Sequence, residues 1–159
     1  MKFKVRVACV VVCNDEFALI QRKTEDGEQW TLPGGNVEEE DIETAIIREL
    51  DEELGLTGVK PELLCLQDML IHRPDKEGLY RKLHIVFRVV IDTATREKLK
   101  IVEADDLSDG SVKWIAKASL ADLHMYPSIN MFLFNLPSLS DPVVPSVLPP
   151  LTDETYSWR

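Results

Sequence analysis

Cysteine is scarce: Cys9, Cys13 and Cys65 are the only three, and no two form a C-x-x-C pair. An odd number without metal-type spacing excludes a disulfide framework. It points to buried free thiols in a reducing compartment, and so to a cytoplasmic location. Basic residues are also outnumbered, 18 Lys and Arg against 28 Asp and Glu, for a formal net charge of -10. That balance argues against a nucleic-acid backbone or an anionic membrane as partner. Small anionic substrates stay open, because a bound divalent cation inverts the local field. No apolar stretch is long enough to span a bilayer. The opening "MKFKVRVACVVVCNDE" imitates a signal peptide only at first sight. Its charges alternate with Phe3, Val5 and Val7, its uninterrupted apolar run is short, and acids follow at once. No internal repeat is visible. What is present is 159 residues, 45% of them hydrophobic, enough for one domain with a real core.

Lys2 to Cys13 begins in strict alternation and becomes apolar on both faces, the pattern of a strand entering a core from a half-exposed end. Asn14-Asp15 signals a turn, and "FALIQRK" completes a hairpin. A loop over Thr24 to Glu28 leads to "WTLPGG", where Pro33 and two glycines are expected to stop regular structure. A helix is predicted from about Asp41 to Leu54, closed by Gly55. Strands follow over about Glu62 to His72 and Tyr80 to Asp92, joined by the polar turn "RPDKEG". A short strand "VKWI" and two brief helices near Ala118–Leu123 and Ser128–Phe134 complete the domain, residues 1–135. Five of the nine prolines lie between Pro137 and Pro150, so residues 136–159 read as a Pro-rich extended tail. Its Val143, Val144, Val147, Leu148, Tyr156 and Trp158 are candidates to pack on the domain or on a second subunit, which leaves a homodimer open.

Between Glu38 and Glu53 nine carboxylates crowd into sixteen residues against a single cation, Arg48. Like charges one turn apart destabilise a helix by about 0.2–0.5 kcal/mol per pair, so something must offset them. At about 100° per residue, Glu49, Glu52 and Glu53 fall on one arc beside an apolar stripe of Ile46, Ile47, Leu50 and Leu54. Three rigidly held oxygen ligands next to a Gly-Gly loop suit a hard divalent cation, which converts their repulsion into attraction. The plain alternative is a solvated acidic face. Two features tell against it: the acids converge on the glycine loop, and Arg48 is placed to brace Glu52 or that loop.

Gly34, Glu40, Arg48, Glu49, Leu50, Glu52, Glu53, Gly55 and Leu56 match the Gly-x5-Glu-x7-Arg-Glu-U-x-Glu-Glu-x-Gly-U signature. On these residues the chain resembles the Nudix hydrolases of the MutT-like type. The signature covers 23 residues, and the lead-in W-x-L-P-G-G together with Trp114, Leu120, Leu123 and Pro127 extends the likeness over 1–135. The loop departs from the usual pattern by one residue, with Glu39 standing where a glycine is customary. The resemblance implies an α/β fold, a Nudix-type α/β/α sandwich whose mixed central sheet lies between the signature helix and the C-terminal helices. It also implies cleavage by water of the pyrophosphate in a nucleoside diphosphate linked to another group. Glu49, Glu52 and Glu53 would hold Mg²⁺ or Mn²⁺ and serve the chemistry, with the backbone carbonyl of Gly34 or Gly35 completing the site. Glu40, Arg48, Gly35 and Gly55 would be structural, Glu40 pairing with Arg48. The general base would be Glu49 or Glu53, with Glu103, Asp105 and Asp106 as later-loop candidates.

Specificity is written faintly. Arg22, Trp30, His72, Arg73 and His84 are candidate substrate contacts, and Lys23, Arg81 and Arg88 join them in the basic set. Each also has a plainer reading: Trp30 as core, His84 as a strand interior residue, Arg81 and Arg88 as solvated. A nucleoside triphosphate is the expected substrate. The alternatives are ADP-ribose, a dinucleotide or a nucleotide sugar, and a non-catalytic Nudix-fold binding module. Retention of every signature carboxylate argues against the module, and the acidic surface argues against an mRNA-decapping role.

Overall fold

The computed structural model describes residues 2–99 and 110–157. The later-loop candidates Glu103, Asp105 and Asp106, and Trp158 of the tail, lie outside the described residues. The expected first strand is β1, Lys2–Cys13, and Asn14 takes a left-handed φ of 55° in the turn to β2, Glu16–Thr24. Two strands occupy the segment expected to be loop. β3, Gly27–Thr31, pairs antiparallel with β2, and β4, Gly34–Asn36, pairs antiparallel with β1 from Ala8 to Arg6. Pro33 interrupts the chain between them. The glycines then continue the ladder, and at Gly34 only a residue without a side chain fits so close to β1.

Helix α1, Ile42–Leu54, begins at Asp41, whose carboxylate accepts from the Thr44 amide, and ends at Gly55 with φ 62°. Its buried stripe is Ala45, Ile46, Leu50 and Leu54. Ile47, expected among them, faces solvent, one position off the stripe's axis. Strands β5, Glu62–His72, and β6, Leu79–Val90, form the predicted long hairpin, and α2, Thr93–Glu97, is a short helix capped by Asp92 that the sequence did not announce. Next come β7, Gly110–Ala116, a 3₁₀ helix Lys117–Asp122, β8, Met125–Tyr126, and α3, Asn130–Asn135.

The sheet is mixed, with β1 parallel to β6 and antiparallel to β2. On one side Val7, Cys9, Val11 and Cys13 of β1 pack with the stripe of α1. On the other, Ala8, Val10 and Val12 pack with Leu120 of the 3₁₀ helix and Leu133 of α3. This is the expected α/β/α sandwich. All three cysteines are buried free thiols.

The segment after Asn135 lies along the sheet: β9, Ser146–Val147, and β10, Leu151–Thr152, each pair parallel with β5. Leu139, Leu151 and Tyr156 are buried, and Val143 and Leu148 pack on the core, whereas Val144 and Val147 stay exposed. Arg88 corrects the solvated reading. It is buried and donates to the carbonyls of Leu139 and Asp141, fastening this segment to β6.

Candidate active site

The signature residues meet where α1 runs beneath β4. Glu53 accepts from the Gly34 amide at 2.7 Å, tying the end of α1 to the glycine pair. Gly34 has φ 148°, and a Cβ there would stand 2.2 Å from the Val7 carbonyl oxygen, so this position takes only glycine. A Cβ on Gly35 would stand 2.1 Å from Oε1 of Glu49, so the carboxylate fills the space that glycine leaves. Gly55 closes the helix, its amide reaching the Asp51 carbonyl at 2.8 Å.

Arg48 is the hub of the acidic run. It donates to Glu40 at 2.9 Å, to Glu49 at 2.8 Å, to Glu52 at 3.2 Å and to the Asn36 carbonyl at 3.4 Å. The Glu40–Arg48 pair expected from the signature is present. The bond from Arg48 is the main reason the Glu40 carboxyl is held below its ordinary range. The same bond is the main reason the guanidinium is held more firmly charged than usual. Arg48 therefore braces both Glu52 and the loop, and it offsets part of the repulsion along the helix.

Glu49 and Glu53 point inward, and Glu52 is open to solvent with 59% of its side chain exposed. Burial pushes the Glu53 carboxyl up to about 7, with Glu49 adding to the rise and the charges of Arg6 and Arg22 opposing it. Among the described residues, no three or more His, Cys, Asp or Glu side chains stand close enough together to hold a metal ion as placed. The donor chemistry nevertheless fits a hard divalent cation: carboxylate oxygens, one packed directly on the backbone of Gly35 and one on that of Gly34, with more negative charge than Arg48 balances.

The other candidates divide. Trp30 is core, as its plainer reading held. His72 lies apart, largely exposed, with its amide and Nδ1 bonded to Asp153. Arg73 pairs with Asp75 and lies over the Tyr80 ring. Arg22 is near enough for its charge to oppose the rise of the Glu53 carboxyl. His84 is fully buried, edge-on to Tyr126 at 4.9 Å. Sequence reasoning passed over Arg6 and Lys82. Arg6 donates to the Leu32 carbonyl at 3.3 Å, and its charge acts on both Glu53 and Glu49. Their signal was basic residues set among apolar ones, in strict alternation in "KFKVRV" and less regularly in "RKLHIV", which looks the same for a solvated face as for a covered one.

A family model described as NUDIX domain matches residues 2–132. An uncharacterized Nudix hydrolase, YvcI of Bacillus subtilis (strain 168), is 26% identical over 128 residues, which is 80% of this chain and 75% of that protein. The crystal structure of a MutT protein from Bacillus halodurans superposes with a TM-score of 0.66 at 23% identity, covering 96% of this chain and 93% of that one. The NUDIX domain of Shewanella oneidensis NrtR, solved with ADP ribose, superposes with a TM-score of 0.61 at 21% identity, covering 84% and 85%. With its mixed sheet, its Glu40–Arg48 brace and its inward Glu49 and Glu53 now accounted for, the chain belongs to the Nudix family and is a pyrophosphohydrolase, a class acting on nucleoside diphosphates linked to another moiety.

Proposed function

We propose that the chain hydrolyses a nucleoside triphosphate between its α- and β-phosphates, with Mg²⁺ or Mn²⁺, to a nucleoside monophosphate and pyrophosphate. The observation that carries this reading is the packing of the Glu49 and Glu53 carboxylates on the backbone of Gly35 and Gly34, in a site with more negative charge than Arg48 offsets. Enzymes of this family generally use divalent metals. Glu49, Glu52 and Glu53, with the carbonyl of Gly34, would hold the ion, which would neutralise phosphate oxygens and acidify a bound water.

The chain's own groups do the rest. Glu40, Arg48 and the Asn36 carbonyl hold the loop against α1, so the carboxylates do not drift from the glycine pair. An oxygen of Glu49 or Glu53 takes the proton of the attacking water, a contribution of about 10²–10⁴-fold. Arg22 and Arg6 supply positive charge beside Glu53, where phosphate charge must be met. Water attacks directly, because the three thiols are buried and burial pushes Cys9 and Cys65 up, away from the reactive thiolate.

ADP-ribose is the second reading, favoured by its presence in the NrtR domain structure. A panel of nucleoside triphosphates, ADP-ribose, dinucleotides and nucleotide sugars, run with Mg²⁺ in ¹⁸O-water, tests both. The proposal expects a triphosphate to turn over fastest and label to enter one phosphate product. Release of inorganic phosphate alone from a triphosphate overturns it, and preference for ADP-ribose selects the second reading.

A further inference from the structure

On the sheet face turned away from α1, Lys82 carries a positive charge that no acid meets among the described residues. Arg6 of β1 and His84 of β6 are register partners, and Lys82 lies two residues before His84 and therefore on the same face. Lys82 is 8% exposed and makes no hydrogen bond or ion pair among the described residues, although the chain carries 28 acids. Its Nζ stands 5.3 Å from the centre of the Tyr126 ring and 5.5 Å from that of Tyr80. The Arg6 guanidinium lies 5.9 Å from the same Tyr126 ring, so one aromatic side chain spans both cations. Arg6 Nε and both ring nitrogens of His84 are buried without a partner.

A buried cation normally keeps a carboxylate beside it, since an unpaired one costs a large share of the stability a small domain has to spare. Cation–π contact offsets only part of that cost. The groups also repel one another: burial first, then Arg6, Lys4, Arg73 and Lys76, bring the Lys82 ammonium down to about 7. Of the unmet groups, the charged ones, Lys82 Nζ and Arg6 Nε, are donors, and the neutral acceptor Gln67 Oε1 lies opposite His84, so the charge the missing partner must bring is negative. Arg6 is the register partner of Asn36 in β4, two residues from Gly34, whose amide donates to Glu53, so this face adjoins the strand that holds the carboxylates.

We propose that Arg6, Lys82 and His84 form a cradle for the polyphosphate of the substrate, selecting substrates that carry a phosphate there over those that carry a neutral sugar. The inference rests on the nucleotide reading above and sharpens it toward the triphosphate. Calorimetry of the metal-free protein with inorganic tripolyphosphate tests it, with adenosine as a second ligand. Wild type should bind tripolyphosphate, Lys82→Met at least about tenfold more weakly, and Lys82→Arg close to wild type. Thermal melting should show Lys82→Met at least as stable as wild type, as removal of an unpaired charge requires, whereas a structural lysine would lower it. Equal affinity in wild type and Lys82→Met, or no binding by wild type, overturns the cradle. Loss of adenosine but not tripolyphosphate in Lys82→Met also overturns it and makes the face a base site. Glu53→Gln separates the two readings. If it keeps full turnover while Lys82→Met loses the anion, the carboxylate assignment fails and the cradle stands.

Discussion

The carboxylate of Glu49 occupies the space that a side chain on Gly35 would need, its Oε1 2.1 Å from where a Cβ would stand. Its neighbour Gly34 is constrained differently, by the backbone of β1: a Cβ there would meet the Val7 carbonyl oxygen at 2.2 Å and Ala8 Cα at 2.7 Å. The two glycines should therefore fail in opposite ways. Gly35→Ala displaces only the end of a flexible side chain. It should cost less than about 1 kcal/mol of stability yet lower turnover by at least about tenfold, because the reacting carboxylate moves. Gly34→Ala must shift backbone at a φ of 148°, and should cost about 1–3 kcal/mol or more in urea unfolding. Equal stability of the two variants would contradict this division.

Arg48 gives a second test. Its bonds to Glu40, Glu49 and Glu52 are partly solvent-screened, so each is worth a fraction of a kcal/mol, but they share one guanidinium. Arg48→Gln should lower Tm by about 2–6 °C and raise the metal concentration needed for half-maximal rate. Lys should rescue poorly, since an ammonium cannot fork between three carboxylates and the Asn36 carbonyl. Full rescue by Lys would mean that charge alone, without geometry, organises the loop.

The signature helix was legible because each of its signals is local: Asp41 as cap, Gly55 as stop, and the 3.6-residue spacing of Ile46, Leu50 and Leu54. Only Ile47 was misplaced, and one step of 100° separates its position from the buried stripe. The long hairpin of β5 and β6 was equally clear from its polar turn. β4 was not, because Gly-Gly has no strand propensity, and its pairing with Arg6, Val7 and Ala8 depends on residues some thirty positions away. Arg88 and Lys82 were illegible for the same reason. A basic residue on a strand reads as solvated until the segment or face that covers it is known, and here the covering of Arg88 comes from Leu139 and Asp141.

Lys82 also makes a prediction about pH. Its ordinary value is 10.5 and the folded protein holds it to about 7, so between these limits the unfolded chain binds a proton that the folded chain does not. Stability from this group must rise with pH across that window and be lost as pH falls toward 7. Wild type should gain Tm relative to Lys82→Met between pH 7 and pH 9, with the variant's advantage greatest at pH 7. A difference that stays constant over those two units would show that Lys82 is not held neutral.

Glu52→Gln and Glu53→Gln should each lower turnover by at least about 10²-fold under saturating Mg²⁺, since each removes a charged ligand from the proposed ion. Neither should lose stability without metal. Glu53→Gln in particular keeps an acceptor for the Gly34 amide while removing a buried charge that is costly above about pH 7. Wild-type rates in both variants would refute the metal assignment.

The segment after Asn135 offers the sharpest contrast between its composition and its packing. Prolines excluded helix and central strand, yet Leu139, Leu151 and Tyr156 are buried, and Gln67 donates to the Pro149 carbonyl at 3.2 Å. Three large side chains taken from water are worth about 1.5–3 kcal/mol each, which together approaches the whole stability of a typical domain. Deleting residues 136–159 would also strip Arg88 of both carbonyl acceptors and leave a buried guanidinium with, among the described residues, only Glu62, at 3.5 Å. Removal should therefore lower the urea midpoint sharply or leave the chain unfolded, and should expose apolar surface that binds a hydrophobic dye. The point variant Leu151→Ala, which keeps the chain whole, should cost about 2–5 kcal/mol. If the truncated chain melts like the full one, the segment is an appendage and its contacts with β5 contribute nothing to stability.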